Sequence, residues 1–244
     1  MLSRPPHIAA ANIVAEPPRY RWDEWNVTAT YRPADPEVMA RMARLTHRAN
    51  VAATTAMAEW AIWRFERYSS WTVPYQMLEA AWASGVHTAY TRYFEFDDNE
   101  WRGVVRGPMR VALGIAGDLI WGLKTATRGE NAAWMSNLAQ HLLLDPEPFR
   151  HWLAVCLERL EEHYPESAAN EDAVFEDEFD VGPWVPRELF DLSRPFDVAS
   201  TRLHIKRFVS TLDYRQNPFL NAPDDMLDFD DYHSVPYSIS ESDS

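Results

Sequence analysis

The stretch Asp35–Trp63, DPEVMARMARLTHRANVAATTAMAEWAIW, decides the fold class. Asp35 can accept hydrogen bonds from the first free amides of a helix, and Pro36 suits the first helical position. Glu37 sits where the helix dipole is positive. Val38, Met42, Leu45, Ala49, Ala52, Ala56, Trp60 and Trp63 then recur at spacings of three and four. That is one helical face held for about seven turns, so the spacing predicts one long helix. Alanines in its middle allow a neighbouring backbone to come close, and tryptophans at its end fill a wider gap. Arg41, Arg44 and Arg48 fall off the stripe and are expected in solvent.

Similar patterns follow on the C-terminal side. Thr72 with Pro74 opens a second helix, expected to reach about Phe96 through Leu78, Trp82, Gly85, Ala89 and Tyr93. Gly107-Pro108 opens a third, about 108–127, apolar on nearly every side and so expected at the centre of the protein. A fourth spans about 131–143. Asp145-Pro146-Glu147 repeats the capping pattern for a fifth, about 146–163, bearing Phe149, Leu153, Cys156 and Leu160. A short helix (187–192) precedes an amphipathic one (about 198–212), with Val198, Ile205, Val209 and Leu212 inward and Arg202, Lys206 and Arg207 outward. Alternating strand patterns are absent. The expected architecture is an all-α multi-helix bundle over 35–164. A proline-rich irregular arm (1–34), pinned by Trp22 and Trp25, precedes it. An acidic loop (165–185), C-terminal helices packed on the bundle (186–222) and an acidic-aromatic tail (223–244) follow.

The chain has 244 residues and a formal net charge of −14. Residues 161–180 hold nine acids and residues 224–244 hold seven, neither tract with any Lys or Arg. Without those 16 acids the chain has 21 acidic and 23 basic residues, so a near-neutral body carries two acidic tracts. Phosphate backbones need clustered cations, so nucleic-acid binding is not expected. A basic protein partner fits the charge better than an anionic membrane does. No apolar run is long enough to span a bilayer. Residues 1–18 carry four prolines and no continuous apolar segment, so no secretory leader is expected, and a cytoplasmic protein is. A single Cys excludes a disulfide framework and a cysteine-based zinc site.

Motifs that carry chemistry are few. No Glu has a His three residues later and no two His stand four apart, so no metal or cofactor is expected. Phosphate-cradling glycine loops and the nucleophile-elbow motif are missing. Cys156 reads as a small buried hydrophobe. Asp224-Asp225-Met226-Leu227-Asp228 has the D-D-x-x-D form of the Mg²⁺-diphosphate clusters in terpene and prenyl synthases. It lies in a proline-rich tail with no second metal motif after it, and the chain is not assigned to that family.

Two features remain. Gly114, Asp118 and Gly122 are spaced four apart and share a helix face beside Trp121. Mid-helix glycines cost about 1 kcal/mol each, so they call for a close helix crossing with Asp118 paired, or for a ligand notch. On either account Gly114→Leu is expected to unfold the protein. The tail interleaves acids with large apolar side chains, as segments that order on a partner do. Its candidate contact residues are Asp224, Asp225, Asp228, Phe229, Asp230, Asp231 and Tyr232. Asn217-Pro218-Phe219 also matches the tripeptide read by EH domains. The reading favoured by the sequence is a non-catalytic interaction protein, an adaptor or an inhibitor of the immunity type, that binds a basic partner through its acidic tracts. The alternative is a helical small-molecule-binding protein or enzyme with its pocket at Gly114, Asp118 and Gly122.

Overall fold

Asp35 does cap a helix. Its carboxylate accepts from the amides of Glu37 and Val38, and α2 runs Pro36–Met42. In this computed structural model, which describes residues 2–14, 17–97, 99–121, 128–166, 181–229, 232 and 235–239, the helix does not continue to Trp63. A second helix, α3 (His47–Trp63), starts where the Thr46 hydroxyl accepts from the Ala49 amide. The fully buried Asn50 holds the break open: its amide group donates to the carbonyls of Met42, Leu45 and Thr46. The inward stripe survives, because both segments keep Val38, Met42, Leu45 and the residues after them buried.

The central helix is α3, on which every residue except Arg48 is buried. Around it pack α4 (Val73–Ser84), α5 (Gly103–Trp121), α6 (Arg128–Leu142) and α7 (Glu147–His163). Ala49, Ala52, Ala53, Ala56, Ala58 and Ala61 present so little side chain that these neighbours can close on it from several directions. This corrects the expectation that the helix after Gly107 lies at the centre. That helix, α5, keeps one side towards solvent.

Other boundaries also differ. α5 begins five residues before Pro108, which therefore sits inside it. Proline has no amide to offer the carbonyl four residues earlier. The Tyr20 hydroxyl takes its place and donates to the Val104 carbonyl, so the N-terminal arm completes the helix. α4 ends at Ser84, short of Phe96. A 3-10 turn, Thr88–Tyr90, follows, and Thr91 then pairs with Leu220 in an isolated bridge. Two asparagines fix this pairing. Asn221 donates to the carbonyls of Ala89 and Thr91, and Asn217 donates to the Gln76 carbonyl and to Glu79. The tripeptide Asn217-Pro218-Phe219 is thus engaged within the body, with Asn217 2% exposed.

Arg64, 1% exposed, caps α3 and donates from Nε to the carbonyl of Leu142, the last residue of α6. Two helix C-termini, where the dipoles are negative, receive this buried cation. In the arm, α1 (Pro6–Ala11) drives Ile8 fully into the core, so the arm is not irregular throughout. Trp22 packs over Gly107, whereas Trp25 is 97% exposed and pins nothing. The C-terminal segment forms 3-10 turns at Arg187–Phe190 and Val198–Ser200, then α8 (Thr201–Val209) and α9 (Pro223–Met226). Val198 is exposed, against expectation. Ile205, Val209, Leu212, Met226, Tyr232 and Ile239 form a second small core against α4. The described residues contain no strand, and none of their helices is long and apolar enough to cross a membrane.

Candidate functional site

α3 carries one acid, Glu59, in a stretch from Ala49 to Trp63 that holds no other charged residue. It lies three residues after Ala56, so the helix turns it inward, and it is 1% exposed. A buried carboxylate needs donors. Trp82 on α4 donates its indole N–H to Oε1 at 3.1 Å, and Arg187 donates its Nε to the same oxygen at 2.8 Å. Arg187 Nη2 also lies 2.7 Å from Oε1. Burial pushes the Glu59 carboxyl up, while Arg187 and Trp82 pull it back.

Arg187 reaches Glu59 because Val185-Pro186 anchors the chain and the following 3-10 turn holds Leu189 and Phe190 in the core. From α7, Trp152 donates its indole N–H to the Phe190 carbonyl at 3.0 Å. Arg159 clasps the same loop by donating to the carbonyls of Leu189, Asp191 and Arg194. Asp191, 6% exposed, accepts from the Ser193 amide and hydroxyl and from Arg194 Nε. Burial alone would raise its carboxyl, but the Ser193 and Arg194 donors outweigh it and hold it below the ordinary range.

The N-terminal arm closes the site. Arg187 Nη2 donates to the Ser3 carbonyl at 2.7 Å, and Arg4 pairs with Glu66. His7 on α1 stacks on Trp152 at 5.0 Å and lies 5.6 Å from Trp60. Both of its ring nitrogens are buried without a hydrogen-bond partner. Burial, reinforced by Arg187, lowers its pKa to about 4, so the imidazole is neutral near pH 7. Between arm, α3 and turn lies a cavity of about 240 Å³, bounded by His7, Glu59, Arg187, Phe190, Asp191 and Arg194. It is a polar chamber with a neutral imidazole, a buried carboxylate and guanidinium groups, backed by tryptophan rings. Among the described residues no three His, Cys, Asp or Glu side chains converge as metal ligands would.

The sequence-derived candidates lie elsewhere. A Cβ added at Gly114 or Gly117 would meet nothing within 4 Å, so none of the described helices crosses there and a side chain at Gly114 points into open space. This overturns the close-crossing explanation and removes the reason for expecting Gly114→Leu to unfold the protein. Close approaches occur at Gly107, against the Trp22 indole, at Gly129, whose added Cβ would stand 2.5 Å from the Met39 carbonyl, and at Gly182, against Thr46. Asp118 is exposed, and partial desolvation raises its carboxyl. Trp121 is half-buried against Tyr93, and Gly122 lies outside the described residues. Gly114, Asp118 and Trp121 take no part in the lining of the cavity.

Of the tail residues, Asp225 pairs with Arg92 at 2.7 Å, Phe229 is half-buried and Tyr232 is buried. Asp224 and Asp228 are exposed, while Asp230 and Asp231 lie outside the described residues, as do residues 167–180 of the first acidic tract. Glu161, at the start of that tract, is held by Arg41 and Arg44.

Sequence reasoning missed His7, Glu59, Arg187 and Asp191. Only Glu59 carried a signal, as an acid on the Ala52–Ala56 face. No family model matches the chain, and neither a curated protein nor a solved structure matches it.

Proposed function

We propose that this protein binds a small molecule in the cavity between α1, α3 and the Arg187–Phe190 turn. The observation that carries this reading is the state of Glu59 and His7. A carboxylate 1% exposed and ion-paired on the central helix lies beside a space bordered by an imidazole whose two nitrogens are enclosed without partners. A buried ion pair adds little stability over an apolar pair of the same volume, so folding alone does not call for it. Buried ionisable groups around a concave space are what ligand sites are made of. The experiment is release of small molecules from the native protein by denaturation, followed by mass spectrometry. The double variant Glu59→Leu with Arg187→Met serves as the control, because it keeps the volume and removes the charge. A compound present in the wild type and missing from the variant supports the reading, and its equal presence in both refutes it.

A second reading rests on the exposed side of α9 and the turn that follows it. Asp224 and Asp228 are in solvent beside Leu227, which is 66% exposed, and among the described residues they enter no ion pair. This surface favours a basic protein partner, as an adaptor or an inhibitor of the immunity type would have. Its test is capture of partners by the wild type and by Asp224→Lys with Asp228→Lys. Identical captured sets would remove α9 and the turn after it from any interface.

A further inference from the structure

Resting on the cavity reading above, we infer that the ligand is a small zwitterion of the amino-acid kind, carrying one carboxylate and one ammonium group. The lining supplies both signs of charge. Arg4, Arg187 and Arg194 contribute guanidinium groups, and Glu59, Glu188 and Asp191 contribute carboxylates. Each group already has a partner, yet each pairing leaves capacity. All three donors to Glu59 converge on Oε1, and none of these bonds engages Oε2. Arg187 uses Nε and Nη2, and Arg194 uses Nε alone, so their remaining N–H groups are open to a ligand. A guanidinium offers five N–H donors in a fork that fits a carboxylate.

Charge decides the ligand class. A simple anion placed against Arg187 and Arg194 would also face Glu59 and Asp191. A simple cation placed against Glu59 would face Arg187. A neutral apolar molecule would cover charged groups and give them nothing. A molecule with adjacent opposite charges meets both sets: its carboxylate takes the open guanidinium N–H groups, and its ammonium donates to the open carboxylate oxygen. The His7 imidazole borders the cavity beside them with both ring nitrogens enclosed, so its resonances report on what fills the space.

Size sets the rest. About 240 Å³ is the volume of about eight water molecules, so a ligand of about that many non-hydrogen atoms fits. Pro5, Pro6 and Phe190 give the cavity an apolar side, which suits a short aliphatic chain rather than a second charged group.

The test follows the His7 ring-nitrogen resonances of the full chain by NMR, assigned with His7→Gln. Valine, valine methyl ester, N-acetylvaline and isobutanol are titrated as zwitterion, cation, anion and neutral probe. Valine is expected to move the His7 signals along a saturating curve. The ester and the N-acetyl compound each lose one charge contact, and are expected to bind about thirtyfold more weakly or worse. Arg194→Gln, whose side chain is exposed at the rim, is expected to weaken valine binding while the far-ultraviolet circular dichroism spectrum keeps its helical form. If the ester, the N-acetyl compound or isobutanol binds as tightly as valine, the zwitterion assignment is overturned and the cavity still binds ligands. If no probe moves His7, both the assignment and the cavity reading are overturned.

Discussion

Arg187 donates its Nε to Glu59 Oε1 at 2.8 Å, joining the Arg187–Phe190 turn to the C-terminal part of the central helix. The same guanidinium holds the Ser3 carbonyl, so one side chain ties α3, the Arg187–Phe190 turn and the N-terminal arm together. Breaking a buried ion pair by removing one partner leaves the other charge without compensation, which costs about 3–5 kcal/mol. Glu59→Leu and Arg187→Met are each expected to lower unfolding stability by about 3 kcal/mol. The double variant is expected to recover most of that loss. Urea unfolding of the four proteins checks it, and additive single losses would show that the two residues do not act as a pair.

His7 makes stability depend on pH. Its imidazole has an ordinary pKa of 6.5 and a value of about 4 in the folded protein, through burial beside Trp60 and Trp152 and repulsion from Arg187. The unfolded chain therefore takes up the proton first. The stabilisation is complete above pH 6.5 and is lost as pH falls towards 4, by about 3 kcal/mol in all. Glu161, held below its ordinary 4.5 mainly by its hydrogen bonds to Arg41, continues the loss at lower pH. Glu59 acts in the opposite sense, since its raised carboxyl is relieved by protonation. The difference between wild type and His7→Phe isolates the histidine. The variant is expected to show a flatter stability profile between pH 6.5 and 4, and parallel profiles would remove His7 as the cause.

The glycines separate into two classes. Gly114→Ala places a methyl group in open space on a helix and is expected to stabilise by about 0.5–1 kcal/mol. Gly129→Ala forces a Cβ to 2.5 Å from the Met39 carbonyl and is expected to destabilise by about 1–3 kcal/mol. Thermal unfolding of both variants reads the two signs directly, and a destabilised Gly114→Ala would mean that something does cross α5 there.

Cys156 faces the core from α7 and is 0% exposed, and burial pushes its thiol well above the ordinary range. A thiol reagent is expected to leave the native protein unmodified and to label one group per chain in denaturant. Rapid labelling under native conditions would show that α7 opens locally.

Most of the helices were legible in the sequence because their apolar side chains recur at helical spacing and their starts carry Asp-Pro or Thr-x-Pro. Boundaries were less so. The break between α2 and α3 contains no Gly or Pro. It is made by Asn50, whose amide binds three carbonyls only once the chain has turned. The early start of α5 depends on Tyr20, 84 residues before the carbonyl it fills. The central position of α3 rather than α5 follows from alanine, whose small side chain lets neighbours approach on every face. The cavity was hidden for a related reason. His7, Glu59, Arg187 and Asp191 come from separate parts of the chain, and no local spacing links them. Glu59 alone breaks its surroundings, as an acid between Ala56 and Trp60 on an inward face. The glycine-rich face drew notice for a composition that the structure turns towards solvent.

The measurement that tests the central claim most directly is thermal unfolding of the wild type and of the Glu59→Leu, Arg187→Met double variant against one panel of small polar compounds. A compound that occupies the cavity at 100 times its Kd stabilises by about 2.7 kcal/mol, a rise of roughly 5–10 °C for a chain of this length. At least one compound is predicted to give that rise in the wild type and none in the variant. Equal shifts in the two proteins, or no shift in either, would contradict a ligand held by Glu59 and Arg187.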